Sequence, residues 1–479
     1  MIHRLFSPVQ RPPTLTEALV SLIALVVGIG VSIVVYGLDP QIPMLLGVIV
    51  ASLVALRCGY RWDDIQEGMV RGIHNALPAL IILMVVGVLI GVWIQAGVVP
   101  TLISYGLKLL SPTIFLPAAV VICAISSLAT GSSWGTSGTL GVALMGIGGS
   151  LGIPLPLVAG AVLSGAYFGD KMSPLSDTTN LAPAMAGTDL FTHIKHMSYT
   201  TGVSIGLTLV IEMALSLYYS GTSGGLERVE VMQQTLAAHY VINPVLLLPP
   251  LLVLFVSYKR LPAIPGITLG VIAGGLCALG MQGADYAELM QVAFGGVTSD
   301  TGVEAVDSLL SRGGLNSMFY TISLVIVAMM FGGVMERTQQ LRTIAETILK
   351  AARTRGSLIL STVLTSIGAN VVLCDQYMAI VMGARTYAEA YRERGLAPEN
   401  LSRAVEDSAT VTANLVPWNS GGAYQAATLG VATIAYLPFN FFCWLSPLVT
   451  VLYGYTGWTI KPLAAPEDDA TPAAPDAKE

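Results

Sequence analysis

Charge is scarce in this chain. Charged residues make up 11% of its 479 positions, whereas hydrophobic residues make up 54%. A soluble protein of this length needs far more charge on its surface, so the composition indicates a protein that crosses a membrane many times. The net charge of −6 comes largely from the acidic segment after Pro466 and from the loop between Asp285 and Asp307. No basic patch remains to suggest a nucleic-acid partner.

Cysteine, histidine and nucleotide-binding motifs are also poorly represented. The chain has five cysteines and five histidines. The cysteines lie scattered in apolar segments without the spacing of a disulfide framework or a metal site. His193 and His196 are expected in a solvated loop, which argues against a metal centre in the membrane. Because no glycine-rich Walker A sequence is present, we do not expect ATP-driven transport, and an ion gradient must supply the energy. We expect neither an enzyme nor a bound cofactor.

Apolar segments long enough to cross a bilayer, which takes about 20 helical residues, dominate the chain. Ten such segments cover residues 15–36, 41–57, 76–98, 154–187 (interrupted), 197–219, 243–258, 264–281, 316–336, 399–430 (interrupted) and 434–456. Two further stretches, 113–150 and 357–384, are split by polar or glycine residues and predict re-entrant hairpins. The second is too short for two full crossings. The predicted fold class is therefore an all-α polytopic membrane protein.

Lysine and arginine are unevenly distributed between the predicted loops, and cytoplasmic loops hold the excess in membrane proteins. With the N-terminus inside, most of these residues fall on the cytoplasmic side. Three fall outside, namely Lys108, Arg228 and Arg312. Residues 1–14 and the acidic tail 457–479 are then both cytoplasmic, and residues 220–242 form an external linker.

An internal repeat relates the two halves of the chain. The motif Arg-Gly-x-x-Asn at Arg71 recurs at Arg312, an offset of 241 residues, and Pro174 matches Pro417 at an offset of 243. The predicted repeats are 15–219, with the hairpin 113–150, and 243–456, with the hairpin 357–384. Because each half holds an odd number of crossings, the two run through the membrane in opposite orientations. Inverted repeats with discontinuous helices are the architecture of secondary transporters.

Acidic residues interrupt several of these apolar segments. A charged side chain near the bilayer centre costs about 3 kcal/mol or more, so each one is a candidate functional residue. Pro174 lacks an amide hydrogen and disfavours helix at the residue before it, which predicts a helix break beside Asp177. Asp177 and Asp407 are predicted as the principal sodium and proton carriers. Further candidates are Asp170, Asp375 and Glu406, whereas Glu212, near the outer end of its segment, is expected to face solvent.

Oxygen-bearing side chains accompany these acids, and hard cations take oxygen ligands. The predicted sodium ligands are Asp177, Ser176, Thr178 and Asn180. Further supporting ligands are Ser133, Thr136, Ser173, Thr179 and Asn419. Hydroxyls in membrane helices also bond their own backbone or a neighbouring helix, which is the other interpretation of those in the first hairpin. Lys171 is a counter-charge for Asp170, Glu406 or Asp407, either in a structural ion pair or beside a proton site.

Two segments carry a family resemblance. The sequence GSSWGTSGTLG at 131–141 and the sequence SGAYFGDKMSPLSDTTNLAPAMAGTDLFTHIKHM at 164–197 closely resemble the NhaC family of Na+/H+ antiporters. The resemblance implies a multi-pass carrier of the bacterial cytoplasmic (inner) membrane, within a superfamily of inverted-repeat ion transporters. Relatives include a malate/lactate exchanger coupled to sodium and protons, and some members are assigned to amino acids.

The expected function is exchange of cytoplasmic Na+ for external H+ by alternating access, with both ions competing for the same carboxylates. Such exchange should become faster as the pH rises. The alternative is a Na+- and H+-coupled exchanger of small organic anions or amino acids, in which Lys171 is the natural counter-ion. An ion channel is a third class, which the inverted repeat disfavours. By architectural analogy, a homodimer could form through the helices near 41–98 and 264–336.

Overall fold

The computed structural model describes residues 10–220, 225–259 and 261–463. Within these ranges the regular elements are helices, apart from one isolated β-bridge between Leu396 and Pro462. The all-α fold class predicted from composition is therefore confirmed. Parts of the predicted cytoplasmic N-terminus (1–9), external linker (221–224) and acidic tail (464–479) lie outside the described residues.

Ten α-helices make up the first half. They are α1 (Leu15–Gly30), α2 (Gln41–Arg57), α3 (Trp62–Gln95), α4 (Val98–Leu109), α5 (Phe115–Thr130), α6 (Ser133–Thr136), α7 (Val142–Ser150), α8 (Leu155–Met172), α9 (Asp177–Ala186) and α10 (Leu190–Ser220). A π-helical turn, Ser137–Gly141, joins α6 to α7.

The described part of the second half contains thirteen more helices. They are α11 (Gly225–His239), α12 (Leu248–Tyr258), α13 (Ala263–Met281), α14 (Tyr286–Gly295), α15 (Glu304–Leu310), α16 (Phe319–Arg337), α17 (Gln340–Ala351), α18 (Arg355–Leu373), α19 (Gln376–Glu393), α20 (Pro398–Val405), α21 (Ser420–Leu429), α22 (Thr433–Tyr436) and α23 (Phe441–Thr456). A π-helical turn, Glu406–Thr410, continues α20.

Six of the described helices are each long and apolar enough to cross a membrane, or eight spans result if two bent helix pairs count as one each. The multi-pass character is thus confirmed, and the count of ten crossings stays a prediction. Neither of the two interrupted segments, 154–187 and 399–430, contributes one of these six helices. Their second halves, α9 and α21, have 10 residues each and are too short to span alone.

Two predicted segments differ in extent from the observed ones. The second hairpin is longer than 357–384, because α18 has 19 residues and α19 has 18. Its length is therefore no argument for re-entrance. The charged residues in the C-terminal half of α19 hide that helix from a hydropathy pattern. Helix α11 occupies most of the predicted external linker 220–242.

The two broken helices have matching boundaries. Helices α8 and α20 begin 243 residues apart, and α9 and α21 both begin and end 243 residues apart. The two hairpins turn at Gly131 and Cys374, again 243 residues apart, with positive φ angles of 69° and 59°. A positive φ is unusual for a residue that has a Cβ atom. The turn at Cys374 therefore follows the same backbone path as the turn at Gly131 in spite of a steric cost.

Small residues let the helices that carry the site approach closely. Gly165 and Gly169 of α8 lie against the backbone oxygens of Val120 and Ala124 in α5, where a Cβ atom would collide. This is the close packing through small residues that stabilises helix pairs in membranes. It places the end of α5 beside the end of α8, and so brings the first hairpin tip to the first helix break.

Candidate cation-binding site

The first hairpin tip binds a carboxylate of the first broken helix. Beyond Gly131 the chain reverses, and Ser133 begins the short helix α6. The backbone N–H and the hydroxyl of Ser133 both donate to Oδ2 of Asp170, at 3.1 and 2.6 Å. Asp170 is 6% exposed. A buried carboxylate is thus held by two donors from another segment, and the structure brings Ser133 and Asp170 into contact.

The break after α8 follows from Pro174, as the sequence predicts. Ser173 has an extended backbone conformation and Ser176 caps α9. The hydroxyls of Ser176 and Thr178 are 3.1 Å apart. The Thr179 hydroxyl donates to the carbonyl oxygens of Asp170 and Lys171, at 3.2 and 3.0 Å. The carbonyls freed by the break therefore find a hydroxyl partner, which makes unwound backbone tolerable at this depth.

Glu406 lies on the other repeat and faces the same region. It begins the π-helical turn of the second broken helix and is fully buried. Neither of its carboxylate oxygens has a hydrogen-bond partner among the described residues. The hydroxyls of Thr178 and Thr410 lie near it without meeting hydrogen-bond geometry, and Asp170 and Lys171 are within electrostatic range. We call Asp170, Glu406, Ser133, Ser176 and Thr178 the acid cluster.

Lys171 forms a buried ion pair with Asp407 rather than with its neighbour Asp170. Its ammonium donates to Oδ1 of Asp407 and, at 2.7 Å, to the hydroxyl of Ser446. Both charged side chains are 0% exposed. The other oxygen of Asp407 accepts from the hydroxyls of Thr200, at 2.7 Å, and Thr450. Of the three partners that the sequence left open for Lys171, the structure therefore selects Asp407.

Two of the predicted sodium ligands lie apart from the acid cluster. Asp177 and Asn180 are exposed, whereas Ser176 and Thr178 are buried. Each helical residue turns the side chain by about 100°, so consecutive residues at the start of α9 face different surroundings. The Asn180 side chain donates to the carbonyl oxygens of Pro174 and Ser176, at 2.9 and 2.7 Å. The structure thus divides the predicted set into a buried pair and an exposed pair.

Two predicted residues of the second hairpin tip and the second break, Asp375 and Asn419, form hydrogen bonds to nearby backbone groups. Asp375 caps α19 by accepting from the Met378 N–H at 3.0 Å and is 7% exposed. Asn419 accepts from the Gly421 N–H at 2.9 Å and donates to the carbonyl oxygen of Asn370 at 3.0 Å. Asn419 thereby joins the second break to the second hairpin.

Two hydroxyls of the first repeat also have structural partners. Thr136 lies 3.3 Å from the hydroxyl of Ser126 in α5. Ser173 donates to the carbonyl oxygen of Leu128 at 2.8 Å. The alternative interpretation of the hairpin hydroxyls, packing between segments, therefore describes Thr136 and Ser173 well, whereas Ser133 contacts a carboxylate.

Sequence reasoning placed three ionisable residues of α10 wrongly. His193 and His196 are buried in the helix rather than solvated, and Nδ1 of His193 lies 2.8 Å from the hydroxyl of Ser402. Glu212 is 0% exposed and does not face solvent. The reason is that the polar side of α10 packs against the protein. Sequence reasoning also missed Thr200, whose four-residue spacing from Ser204 was an available signal for a shared face.

In each half of the chain the hairpin contacts the break of its broken helix, and we call this contact the seam. The two seams have different hydrogen bonds. In the second, Trp418 Nε1 donates to the carbonyl oxygen of Val371 at 2.8 Å, and the Ser420 N–H donates to that of Cys374 at 2.9 Å. In the first, a cavity of about 500 Å³ lies at the equivalent position. It is lined by Leu128, Ala129, Pro174, Leu175, Tyr258 and Lys259. Ser173 bonds the Leu128 carbonyl oxygen across the first seam, so both seams are bridged, and the first has a cavity beside it.

The ligands that this site offers suit a cation that does not prefer nitrogen or sulfur ligands. Within the described residues, no group of three or more His, Cys, Asp or Glu is placed to hold a metal ion. The acid cluster instead offers two carboxylates with neutral hydroxyl oxygens around them. Oxygen ligands with little excess charge suit a hard cation of low charge better than a transition metal.

Comparison with known proteins is consistent with this geometry. Three relatives align with nearly the whole chain: the Na+/H+ antiporter NhaC of Alkalihalophilus pseudofirmus (39% identity, 92% of this chain and 96% of the relative), the malate-2H+/Na+-lactate antiporter of Bacillus subtilis (39%, 93% and 96%) and the arginine/ornithine antiporter ArcD of Halobacterium salinarum (38%, 98% and 98%). The model of the Na+/H+ antiporter family matches residues 14–167 and 165–458. The chain therefore belongs to the Na+/H+ antiporter family.

Proposed function

We propose that the protein is a secondary transporter that exchanges cytoplasmic Na+ for external H+, with both ions competing for Asp170 and Glu406. The observation that carries the proposal is Glu406. Its carboxylate is fully buried with both oxygens unpaired in the described chain, next to a second buried carboxylate. Two such groups cannot both stay ionised at low cost without a bound cation. A proton or Na+ is the partner that each requires.

Competition at one site produces exchange without further machinery. When Na+ occupies the acid cluster, the protons leave, and when protons return, Na+ is displaced. The empty cluster carries two buried negative charges, which makes its movement between the two sides unfavourable. Each crossing of the site therefore takes place with one of the two ions bound. Because Na+ needs deprotonated carboxylates, exchange becomes faster as the cytoplasmic pH rises.

The sequence predicted that Asp407 carries the transported ions. In this scheme Asp407 is instead the ion-pair partner of Lys171. Their charges cancel, and Thr200, Ser446 and Thr450 satisfy the remaining hydrogen bonds. A buried pair with satisfied partners stays ionised together. Asp407 is then a fixed anion that keeps the Lys171 ammonium charged, and the two oxygens of Glu406 stay free for the transported ion.

Alternating access in this proposal uses two inverted repeats. Supporting observations are the matching offsets of the broken helices and of the hairpin turns. The cavity beside the first seam and the exposed residues of the first break fit a state that is accessible from one side. With the predicted topology, that side is the cytoplasm, since Lys259 lies at the mouth of the open cavity. Exposed Asp177 is then an entry group, where an incoming Na+ first meets a carboxylate.

The surroundings follow from the same topology. We place the protein in the cytoplasmic membrane of a bacterium, with both termini in the cytoplasm and the bilayer covering the apolar helices. A homodimer through the helices near 41–98 and 264–336 stays a prediction. So does the absence of any cofactor apart from the transported Na+.

The test is proton flux in proteoliposomes that contain a pH-sensitive dye. Adding NaCl should drive proton movement with the natural chain and not with Asp170→Asn or Glu406→Gln. Asp300→Asn is the matched control, because Asp300 is an exposed loop residue outside the acid cluster. Normal sodium-driven flux in both cluster variants would overturn the proposal.

An organic-substrate exchanger is the second candidate. It is favoured by the malate/lactate and arginine/ornithine antiporters, which are as similar to this chain as the Na+/H+ antiporter. Overall identity therefore cannot select the substrate. Counterflow of labelled malate, lactate, arginine or ornithine separates the two functions, since a pure Na+/H+ antiporter moves none of them.

A further inference from the structure

A second cavity lies at the end of the protein that the predicted topology places outside, and we call it the outer cavity. Its volume is about 490 Å³. Three segments line it: the end of α7 with its connection to α8, helix α15 with the residues that follow it, and the end of α21. The predicted topology places all three segments at the outer surface. The residues of the acid cluster do not line this cavity.

Arg312 brings a positive charge to the wall of the outer cavity. It is half-buried, and its guanidinium donates to the carbonyl oxygens of Thr428 and Leu429, at 2.5 and 3.4 Å. These bonds use two of the five N–H groups of an arginine. The carbonyls at the end of a helix carry only a partial negative charge, equivalent to about half a unit charge. Part of the charge of Arg312 is therefore left without compensation.

No acid of the described chain compensates the rest of this charge. Arg312 takes part in none of the ion pairs between described residues, and no charged neighbour contributes to its electrostatic surroundings. Its equivalent in the first half, Arg71, is within electrostatic range of Glu336. At the offset of 241 residues, the position equivalent to Glu336 holds Gln95, which is neutral. The acid that accompanies the arginine motif at one end of the protein is therefore missing at the other.

The rest of the wall suits an organic anion. Its apolar residues include Ile153, Leu309 and Leu429, and its hydroxyls are those of Ser308 and Ser311. Cavities of this size with apolar walls and a few polar groups are typical of small-molecule sites. The planar guanidinium of an arginine matches the two oxygens of a carboxylate, a geometry that a spherical ion does not offer. The lining thus combines one anchor for a carboxylate with apolar surface for a carbon skeleton.

We propose that the outer cavity binds a small organic carboxylate from the external solution, with Arg312 as the residue that holds the carboxylate. The N–H groups of Arg312 that are not bonded to α21 donate to the carboxylate oxygens. Lys171, the counter-ion that the sequence suggested for an organic anion, is occupied by Asp407. The inference goes beyond the proposed function, because it concerns binding at a separate cavity and holds whether or not the bound anion crosses the membrane.

The test is binding of labelled lactate and labelled acetate to the purified full chain, with binding of labelled Na+ as a second readout. Arg312→Gln removes the charge and keeps an amide that can donate to α21. It should weaken carboxylate binding on the order of tenfold or more, because hydrogen bonds to charged groups are the strong ones. Arg312→Lys, which keeps the charge without the planar fork, should weaken it less. The affinity for Na+ should be unchanged in both variants. Arg71→Gln is the matched control, because Arg71 is the exposed arginine of the same motif at the other end of the protein, and it should leave carboxylate binding unchanged.

Three results would overturn the inference. The natural chain could bind neither carboxylate, Arg312→Gln could bind them as tightly as the natural chain, or chloride could displace labelled lactate at a lower concentration than acetate does. If Arg312→Gln does not fold, Ser308→Trp provides the decision, because Ser308 is exposed and a large ring at this position fills the cavity. Ser308→Trp should lose carboxylate binding and keep Na+ binding, and unchanged carboxylate binding in it would contradict the site.

Discussion

The two units of hairpin tip and broken helix share a backbone and differ in their chemistry. In the first, the residues before the break are Asp170 and Lys171; the equivalent residues of the second are Ala413 and Asn414. Lys171 pairs with Asp407, whereas Asn414 accepts a hydrogen bond from Asn440 at 2.6 Å. At the two positions directly before the break, the second unit thus has neutral side chains. The site itself takes charged residues from both units, because Asp170 and Lys171 of the first meet Glu406 and Asp407 of the second.

Accessibility separates the two units as well. Pro174, Asp177 and Asn180 of the first break are exposed. Their equivalents at the second break, including Ser420 with 3% exposure, are half-buried or buried. Both breaks are bonded to their hairpins, the second by Trp418 and Ser420 and the first by Ser173. The two units therefore differ in exposure and not in whether a hydrogen bond joins break and hairpin.

The largest expected effect is on stability and comes from substituting Lys171. The equivalent residue of the second unit, Asn414, is substituted for comparison. Lys171→Ala leaves Asp407 buried without its cation and should destabilise the protein by about 3–5 kcal/mol, with loss of transport. Asn414→Ala, the matched change in the second unit, should cost about 1–3 kcal/mol. Thermal unfolding in detergent measures both. Similar losses in the two variants would contradict the higher cost expected for leaving a buried charge without its partner.

The next effect separates two acids of the first unit. Asp170→Asn removes a buried carboxylate held by Ser133 and should weaken Na+ affinity by tenfold or more, about 1.4 kcal/mol or more. Asp177→Asn changes an exposed group and should weaken it less, since solvent screens exposed charges. Binding of labelled Na+ to purified protein provides the comparison. A larger effect at Asp177 would favour the prediction from the sequence, in which Asp177 and Asp407 are the principal carriers.

The seams can be compared through labelling of introduced cysteines. Leu128→Cys should react with a membrane-impermeant thiol reagent from the cytoplasmic side. Val371→Cys, at the equivalent position, should stay unreactive until Trp418→Ala removes the bridging indole. Mass spectrometry of the peptide that carries the introduced cysteine distinguishes it from the five native thiols. Reaction of Val371→Cys with Trp418 in place would show that the second seam is not closed.

The smallest expected effect concerns one hydroxyl. Ser133→Ala removes the 2.6 Å hydrogen bond to Asp170 and should weaken Na+ affinity several-fold, about 1 kcal/mol. Ser150→Ala is the control, because the Ser150 hydroxyl donates only to the backbone at Gly146, away from the acid cluster. An equal effect of both changes would mean that Ser133 acts through helix stability and not through Asp170.

Local chemistry was predictable from the sequence, and distant pairing was not. Pro174 predicted the helix break because a proline acts on its immediate neighbours. The ion pair joins residues 236 positions apart, so the sequence left three partners open for Lys171. The order of importance of the acids was also beyond reach. Whether Asp177 faces the cluster depends on the rotation of α9, and only packing sets that rotation.

The burial of polar helix faces is the second feature that was not predicted from the sequence. Glu212 lies in an apolar segment near a predicted helix end, which is typical of a solvated position. In the structure the apolar residues of α10 face outward and the polar ones face the protein. In a bilayer this arrangement is the favourable one, because lipid solvates the apolar side. The four-residue spacing of hydroxyls that ends at Glu212 was the available signal.

The measurement that tests the central claim most directly is the affinity for labelled Na+ at several pH values, for the natural chain and for Glu406→Gln. If Na+ and H+ compete for the acid cluster, the dissociation constant of the natural chain should rise by about tenfold for each unit of acidification when one proton is displaced. Glu406→Gln should bind Na+ weakly and with a shallower dependence on pH. An affinity of the natural chain that does not change with pH would contradict the shared site.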